Sequence, residues 1–184
     1  MWIRKKHYIP YVELTKNPKN NQWNLLKNIL HQNKDTNFGN KHKFASIHSY
    51  KDFQNAIQVN EYEDLRSYIN QQEETGEPYL NSQQPVMYAQ TSGTTGEPKN
   101  IPILNSSIES YKHSQSLFSY TQYSFDIEVY SGKILAIVSP DIEGKLSTGT
   151  PYGAISGLIN KSMPTLLRYS YLLPLEIFTV TDYD

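Results

Sequence analysis

Apolar residues recur at three- and four-residue steps at Trp23, Leu26, Ile29 and Leu30, which predicts an amphipathic helix that stops before Asn33. Tyr62, Leu65 and Ile69 repeat that stripe and predict a second helix from about Tyr62 to Gln71. Between them, Asp35 to Phe44 is turn-rich: Gly39 is expected to take a positive φ, and Phe38 and Phe44 to dock into the core. Thr75 to Gln84, with Gly76, Pro78 and the following Pro85, reads as loop. Val86–Ala89 and Asn100–Leu104 read as a strand and its return. Ser106 followed by Glu109 has capping-box spacing, so a third helix is expected from Ser107 to about Tyr120, with Lys112 and His113 facing solvent. Ile134 to Val138 is apolar without alternation, which suits a strand covered on both faces. Ile155–Leu167 predicts a helix interrupted by Pro164, and LEIFTV, from Leu175 to Val180, a buried strand.

Strands alternating with helices define an α/β chain, and no repeat or low-complexity linker divides it, so residues 1–184 are read as a single domain. Charge narrows the field of partners. Seventeen basic residues against 18 acidic ones leave no global field to draw in nucleic acid or an anionic membrane. The absence of cysteine removes disulfides and thiolate metal sites. The five histidines form no H-x-x-x-H pair, which argues against zinc. The basic start MWIRKKHYIP is not followed by the apolar stretch of a signal peptide, and no run nears the roughly 18 apolar residues of a membrane span. A cytoplasmic protein is the expectation.

The chemistry concentrates in TSGTTGEPK, Thr91 to Lys99, between the two expected strands. Gly93 and Gly96 let main-chain N–H groups approach an anion. Thr91, Ser92, Thr94 and Thr95 add hydroxyl donors, Lys99 a compact cation, and Pro98 a stiff exit. Such a string suits phosphate, although Ser/Thr/Gly/Pro clusters also make ordinary surface turns. It is not a Walker A loop, which needs four residues between its glycines and Lys directly after the second; here two residues intervene and Lys99 comes three later. The dinucleotide fingerprint fails as well, since position 91 is not glycine. A serine-hydrolase elbow at Ser92 is excluded by Gln90, which stands where the first glycine of G-x-S-x-G is needed.

From Thr91 to Lys99 the string resembles, position by position, the phosphate loop of the adenylate-forming superfamily. What surrounds it is similar to the auxin-responsive acyl-acid amido synthetase family in its bacterial form. Asn33, Thr36, Phe38, Gly39, His42 and Phe44 match one family motif; Val59, Tyr62, Glu63 and Leu65 match a second; Lys99, Ile101 and Pro102 match the K-x-I-P after the loop; and GTPYGAISGLI, Gly149 to Ile159, matches a Gly-rich segment. The resemblance implies a mixed sheet flanked by helices, the incomplete N-terminal portion of a large adenylate-forming domain, with the C-terminal lid absent. It implies ATP and Mg²⁺, a small carboxylic acid activated as acyl-AMP, and an amine acceptor such as an amino acid. Thr91, Ser92, Gly93, Thr94, Thr95, Gly96 and Lys99 would hold the nucleotide's phosphates, and Tyr152, Gly153 and Ser156 would line the acyl pocket; the carboxylate that holds Mg²⁺ is expected elsewhere, leaving this piece inactive alone. An acyl-CoA synthetase of the same superfamily shares the loop but usually continues with Gly-Val after the lysine, where this chain has Asn100, Ile101 and Pro102. A non-catalytic remnant that kept the loop is the alternative from outside the enzymes. His42 sits between Phe38 and Phe44, and there a structural hydrogen bond is expected before a catalytic role.

Overall fold

The computed structural model describes residues 2–91, 97–161, 163, 168–174 and 177, which fall into two compact units. The unit of residues 11–85 is helical. Its helix α2, Pro18–Asn33, starts with Pro at the first turn and the Asn17 side chain accepting from Asn20 N–H, a pairing that satisfies an otherwise orphaned donor. Trp23, Leu26 and Leu30 turn inward along it as the periodicity predicts, whereas Ile29 lies at the border and stays 46% exposed. The helix takes in Asn33 and so runs one residue past the expected stop.

The stretch read as a connector contains more regular structure than expected. Thr36 caps a short helix α3, Asn37–Lys41, its hydroxyl accepting from Gly39 N–H at 2.9 Å and donating to Asn33 O at 2.8 Å. Gly39 does not take a positive φ; the one non-glycine residue found there among the described residues is Lys43, at φ 51°. Phe38 is buried and collects His42, Phe44 and Tyr68 around its ring, with centroids 4.3, 5.9 and 5.3 Å away, while Phe44 is half-buried. His42 Nδ1–H donates to Ala56 O at 2.9 Å, which is the structural role expected of it.

Helix α4, Tyr50–Ala56, has no apolar stripe long enough to register in the sequence and is held by its cap. Asp52 N–H donates to Ser49 Oγ at 3.1 Å, and His48 N–H to Asp52 Oδ2 at 3.0 Å. The Ser49 hydroxyl, then the His48 amide, hold the Asp52 carboxyl below its ordinary 3.8. A carboxyl whose pKa is lowered by folding stabilises the fold fully above its unfolded value and loses that contribution as pH falls through the folded one. Asp52→Asn is therefore expected to be less stable than the parent at about pH 7 and equal to it at about pH 2, as read by urea unfolding at the two pH values. Helix α5, Tyr62–Thr75, opens with a Glu61/Asp64 capping box and runs four residues past the expected Gln71, to Gly76 at φ 73°. Its inward stripe of Tyr62, Leu65 and Ile69 extends one turn to the fully buried Gln72.

The second unit, residues 1–10 and 86–184, carries a mixed sheet of order β2-β1-β4-β3: β1 Met87–Gln90, β2 Asn100–Ile103, β3 Gly144–Lys145 and β4 Pro151–Gly153. β1 is central, antiparallel to β2 and parallel to β4; β3 and β4 are antiparallel. Met87, Tyr88 and Ile103 form the buried heart of this unit. Helices α6, Asn105–Phe125, and α7, Ile155–Lys161, flank the sheet. The α/β reading with a mixed sheet and flanking helices therefore holds.

Several elements differ from the sequence reading. Helix α6 begins earlier and ends later than Ser107–Tyr120, and its N-cap is Leu104 with no side-chain hydrogen bond, so Ser106 and Glu109 form no capping box; Glu109 instead pairs with Lys112 at 3.0 Å. His113 is exposed, as expected, with its ring tilted against His7 at 4.8 Å. Desolvation first, then the charges of His113 and Lys6, lower the pKa of His7. The N-terminal segment is helical, a π turn at Arg4–Tyr8, in which Ile9 N–H donates to Arg4 O, running into helix α1, Ile9–Thr15. Widening that turn accommodates Pro10, which has no N–H to give and whose ring would strike the carbonyl four residues back.

The largest departure is Ile134–Val138. These residues make no strand: Ile134 forms one parallel bridge to Tyr171, and Leu135 and Ile137 are 62% and 86% exposed while Ile134, Ala136 and Val138 are half-buried. One face of the segment is covered, not two. Of the helix expected over Ile155–Leu167, Ile155–Lys161 is seen; residues 162 and 164–167, and all of Leu175–Val180 except Ile177, lie outside the described residues.

Candidate functional site

β1 and β2 pair Met87 with Ile103, Tyr88 with Pro102, Ala89 with Ile101 and Gln90 with Asn100, so TSGTTGEPK connects two antiparallel strands. Its two ends are drawn together. Thr91 N–H donates to Lys99 O at 3.2 Å, and Lys99 N–H donates to Thr91 Oγ1 at 3.2 Å. The Thr91 hydroxyl, an expected phosphate donor, is thus used as an acceptor at the neck. One rung below, Gln90 Nε2 donates to Asn100 Oδ1 at 3.1 Å. Nothing in the sequence singled out that pair; a signal was present in two amides placed symmetrically about the nine-residue connection. Ser92, Gly93, Thr94, Thr95 and Gly96 lie outside the described residues.

On the other side of β1, Tyr88 and Ala89 are in register with Tyr152 and Gly153 of the parallel strand β4. Parallel strands end at the same edge of a sheet, so Thr91 and the chain leaving Gly153 emerge together at the carboxyl ends of β1 and β4. Thr91, expected to hold phosphate, and Gly153, expected to line an acyl pocket, therefore lie at one edge.

Backbone packing sets the conformation after β4. An added Cβ at Gly153 would sit 2.3 Å from Asp141 O, and one at Gly157 would sit 2.3 Å from Ser139 O. Ala154 N–H donates to Pro140 O at 3.1 Å, and Lys161 of α7 pairs with Asp141 at 2.6 Å. Residues 139–142 thus lie directly on the β4–α7 turn, with no room for a side chain at Gly153 or Gly157. Tyr152 is half-buried, and its ring lies over Gly144, where a Cβ would meet the hydroxyl at 2.5 Å. Ser156 is exposed in the first turn of α7. Arg168 gives Nη2–H to Lys161 O at 2.9 Å and Nε–H to Met163 O at 3.3 Å, so it caps carbonyls at the end of that helix.

Among the described residues, no three metal-ligating side chains gather, and no helix is long and apolar enough to cross a membrane. The model of the GH3 family N-terminal domain matches residues 10–184. Among solved structures, a GH3.15 acyl acid amido synthetase is similar at 25% identity with a TM-score of 0.77, and the match covers 94% of this chain and 30% of that one. This chain thus spans under a third of the length of the structure it matches. No curated protein matches.

Proposed function

The chain belongs to the GH3 family, and from that membership we propose that it supplies the phosphate-binding wall of an ATP-dependent acyl-acid amido synthetase. The observation that carries the reading is the shared sheet edge: Thr91, paired with Lys99, and Gly153 lie at the carboxyl ends of two parallel strands. Ligands bind at that end of parallel strands in open α/β sheets.

In the proposed reaction a carboxylate oxygen attacks the α-phosphorus of ATP, the bond to the bridging oxygen breaks, and pyrophosphate leaves with its electron pair. An amine then attacks the acyl carbon of acyl-AMP, AMP departs, and the amine's proton passes to solvent. The first step needs no general base, because the nucleophile is already an anion; it needs alignment and balanced phosphate charge. Ser92, Gly93, Thr94, Thr95 and Gly96 supply hydroxyl and N–H donors to the phosphates, and Lys99 supplies positive charge. Thr91 holds the neck, and Tyr152, Gly153 and Ser156 face the acid. Mg²⁺, if bound with ATP, would supply balancing positive charge; among the described residues no cluster of metal-ligating side chains gathers to hold it, and no residue of this chain is assigned to it. On this reading the chain is the N-terminal part of a large adenylate-forming domain in a cytoplasmic enzyme of small molecules, and it does not complete the reaction alone.

The test is ATP–pyrophosphate exchange by the chain and by the protein extended through the downstream coding sequence. Exchange is expected in the extended form. Ser92→Ala combined with Thr94→Ala should lower it about 100-fold, the scale set by removing donors to developing or departing charge. Unchanged exchange in that double variant would remove the loop from the mechanism, and absence of exchange from the extended parent would refute the activity.

A further inference from the structure

We propose that Gln90 and Asn100 are positioning residues, a pair of amides that locks the mouth of the β1–β2 hairpin so that the Thr91–Lys99 connection is held ready for a nucleotide's phosphates. The inference rests on the functional reading above and adds two residues outside the phosphate-binding string.

Ladder geometry places the pair where side chains matter most. The bond from Thr91 N–H to Lys99 O makes residues 91 and 99 a hydrogen-bonded rung. Rungs alternate along an antiparallel pair, so Gln90 and Asn100 form a non-hydrogen-bonded rung, the type in which Cα atoms approach to about 4.5 Å and opposed side chains are nearest. The backbone gives no cross-strand bond at that rung. Gln90 Nε2 donating to Asn100 Oδ1 at 3.1 Å supplies one, between two half-buried amides that each need a partner. Asn is disfavoured in strands, so strand propensity does not account for the amide at position 100. Pro102, at the next rung of this type, needs no N–H there, because its nitrogen faces away from β1 on the open edge of the sheet. With the amide pair in place, the separation at which the connection leaves the sheet is fixed before a ligand arrives, and less ordering remains to be done on binding.

The experiment compares the protein extended through the downstream coding sequence, as the parent, with its Gln90→Met variant, its Asn100→Leu variant, both together, and the exchanged pair Gln90→Asn with Asn100→Gln. Backbone amide hydrogen exchange and Mg²⁺-ATP titration calorimetry are the readouts. Losing one amide bond is expected to speed exchange of the Thr91 and Lys99 amides about five-fold and to weaken ATP binding by a similar factor. The Val86 amide at the far end of the same strand pair should keep its rate. The double variant should be no worse than either single one, and the exchanged pair should recover most of the loss. Unchanged rates at Thr91 and Lys99, additive losses, or a uniform rise that includes Val86 would overturn the proposal. If the parent itself fails to hold ATP, the functional reading fails separately, and the exchange rates alone decide the clamp.

Discussion

Gly39→Ala is expected to destabilise the chain by about 3 kcal/mol, at the upper end of what overpacking a well-filled site costs, read as a fall in the urea unfolding midpoint at unchanged slope. The new Cβ would lie 2.0 Å from Asn33 O and 3.0 Å from Lys34 O, both backbone atoms that no rotamer change can move aside. Asn33 O is also pinned. It accepts from Thr36 N–H at 3.2 Å and from the Thr36 hydroxyl at 2.8 Å, while the Asn33 side chain donates to Ile29 O at 2.8 Å and accepts from Ser82 N–H at 2.9 Å. Shifting the carbonyl to admit a methyl group would therefore strain the end of α2, the cap of α3 and the contact to Ser82 together. Gly76→Ala separates this steric cause from a conformational one: Gly76 sits at φ 73° with nothing near its absent Cβ, and its replacement should cost only about 1 kcal/mol. Equal losses at the two glycines would contradict the crowding argument.

That contrast also shows which information the sequence carries. A glycine in a polar stretch signals backbone freedom or backbone proximity, and the residue alone does not say which. Gly39 was expected to need a left-handed conformation and instead sits where two backbones nearly touch; Gly76, read only as loop, is the one in the left-handed region. Helices with a three-to-four stripe, α2 and α5, were legible because burial on one face imposes that period. The strands on either side of TSGTTGEPK were legible because the connection itself punctuates them. Helix α4 and the N-terminal helix were not, since one is held by the Ser49 cap and the other by stacking of His7 on His113 and of Tyr8 on Tyr120, contacts without a sequence period. Ile134–Val138 misled for a different reason. An unbroken apolar run reads as doubly covered, and here one alternate set of side chains, Leu135 and Ile137, remains uncovered. For the candidate site, the string of donors was visible in the sequence, but the nearness of Thr91 to the chain leaving Gly153 depends on a parallel pairing across the 60 residues from Thr91 to Thr150, which no local pattern encodes.

Gln72→Leu should cost about 4 kcal/mol, the largest single-residue loss predicted for the chain, because it orphans buried groups rather than removing apolar contact. Gln72 is 1% exposed, and its amide makes four bonds: Nε2 donates to Asn81 O and Gln83 O, each at 3.0 Å, and Oε1 accepts from Leu80 N–H and Asn81 N–H, each at 2.9 Å. A single side chain thereby satisfies two donors and two acceptors of a turn that has no ladder of its own, which is how residues 80–83 remain folded against α5. Leucine fills the volume and satisfies none of them. Gln72→Glu gives a sharper test, because it keeps the shape and the acceptor and replaces the two donors. As a carboxylate, the new group would present a buried negative charge to two carbonyl oxygens, so its pKa should rise on folding; protonated, it regains one donor. A raised carboxyl pKa means that the folded state binds the proton more tightly, so stability should be recovered as pH falls through the folded value and be poorest above it. The Gln72→Glu chain should accordingly gain on the parent between about pH 7 and pH 5 in urea unfolding, while the Gln72→Leu deficit stays flat over the same range. A Gln72→Glu deficit that is also flat would mean that the group finds water, and that the four hydrogen bonds are not what orders the turn.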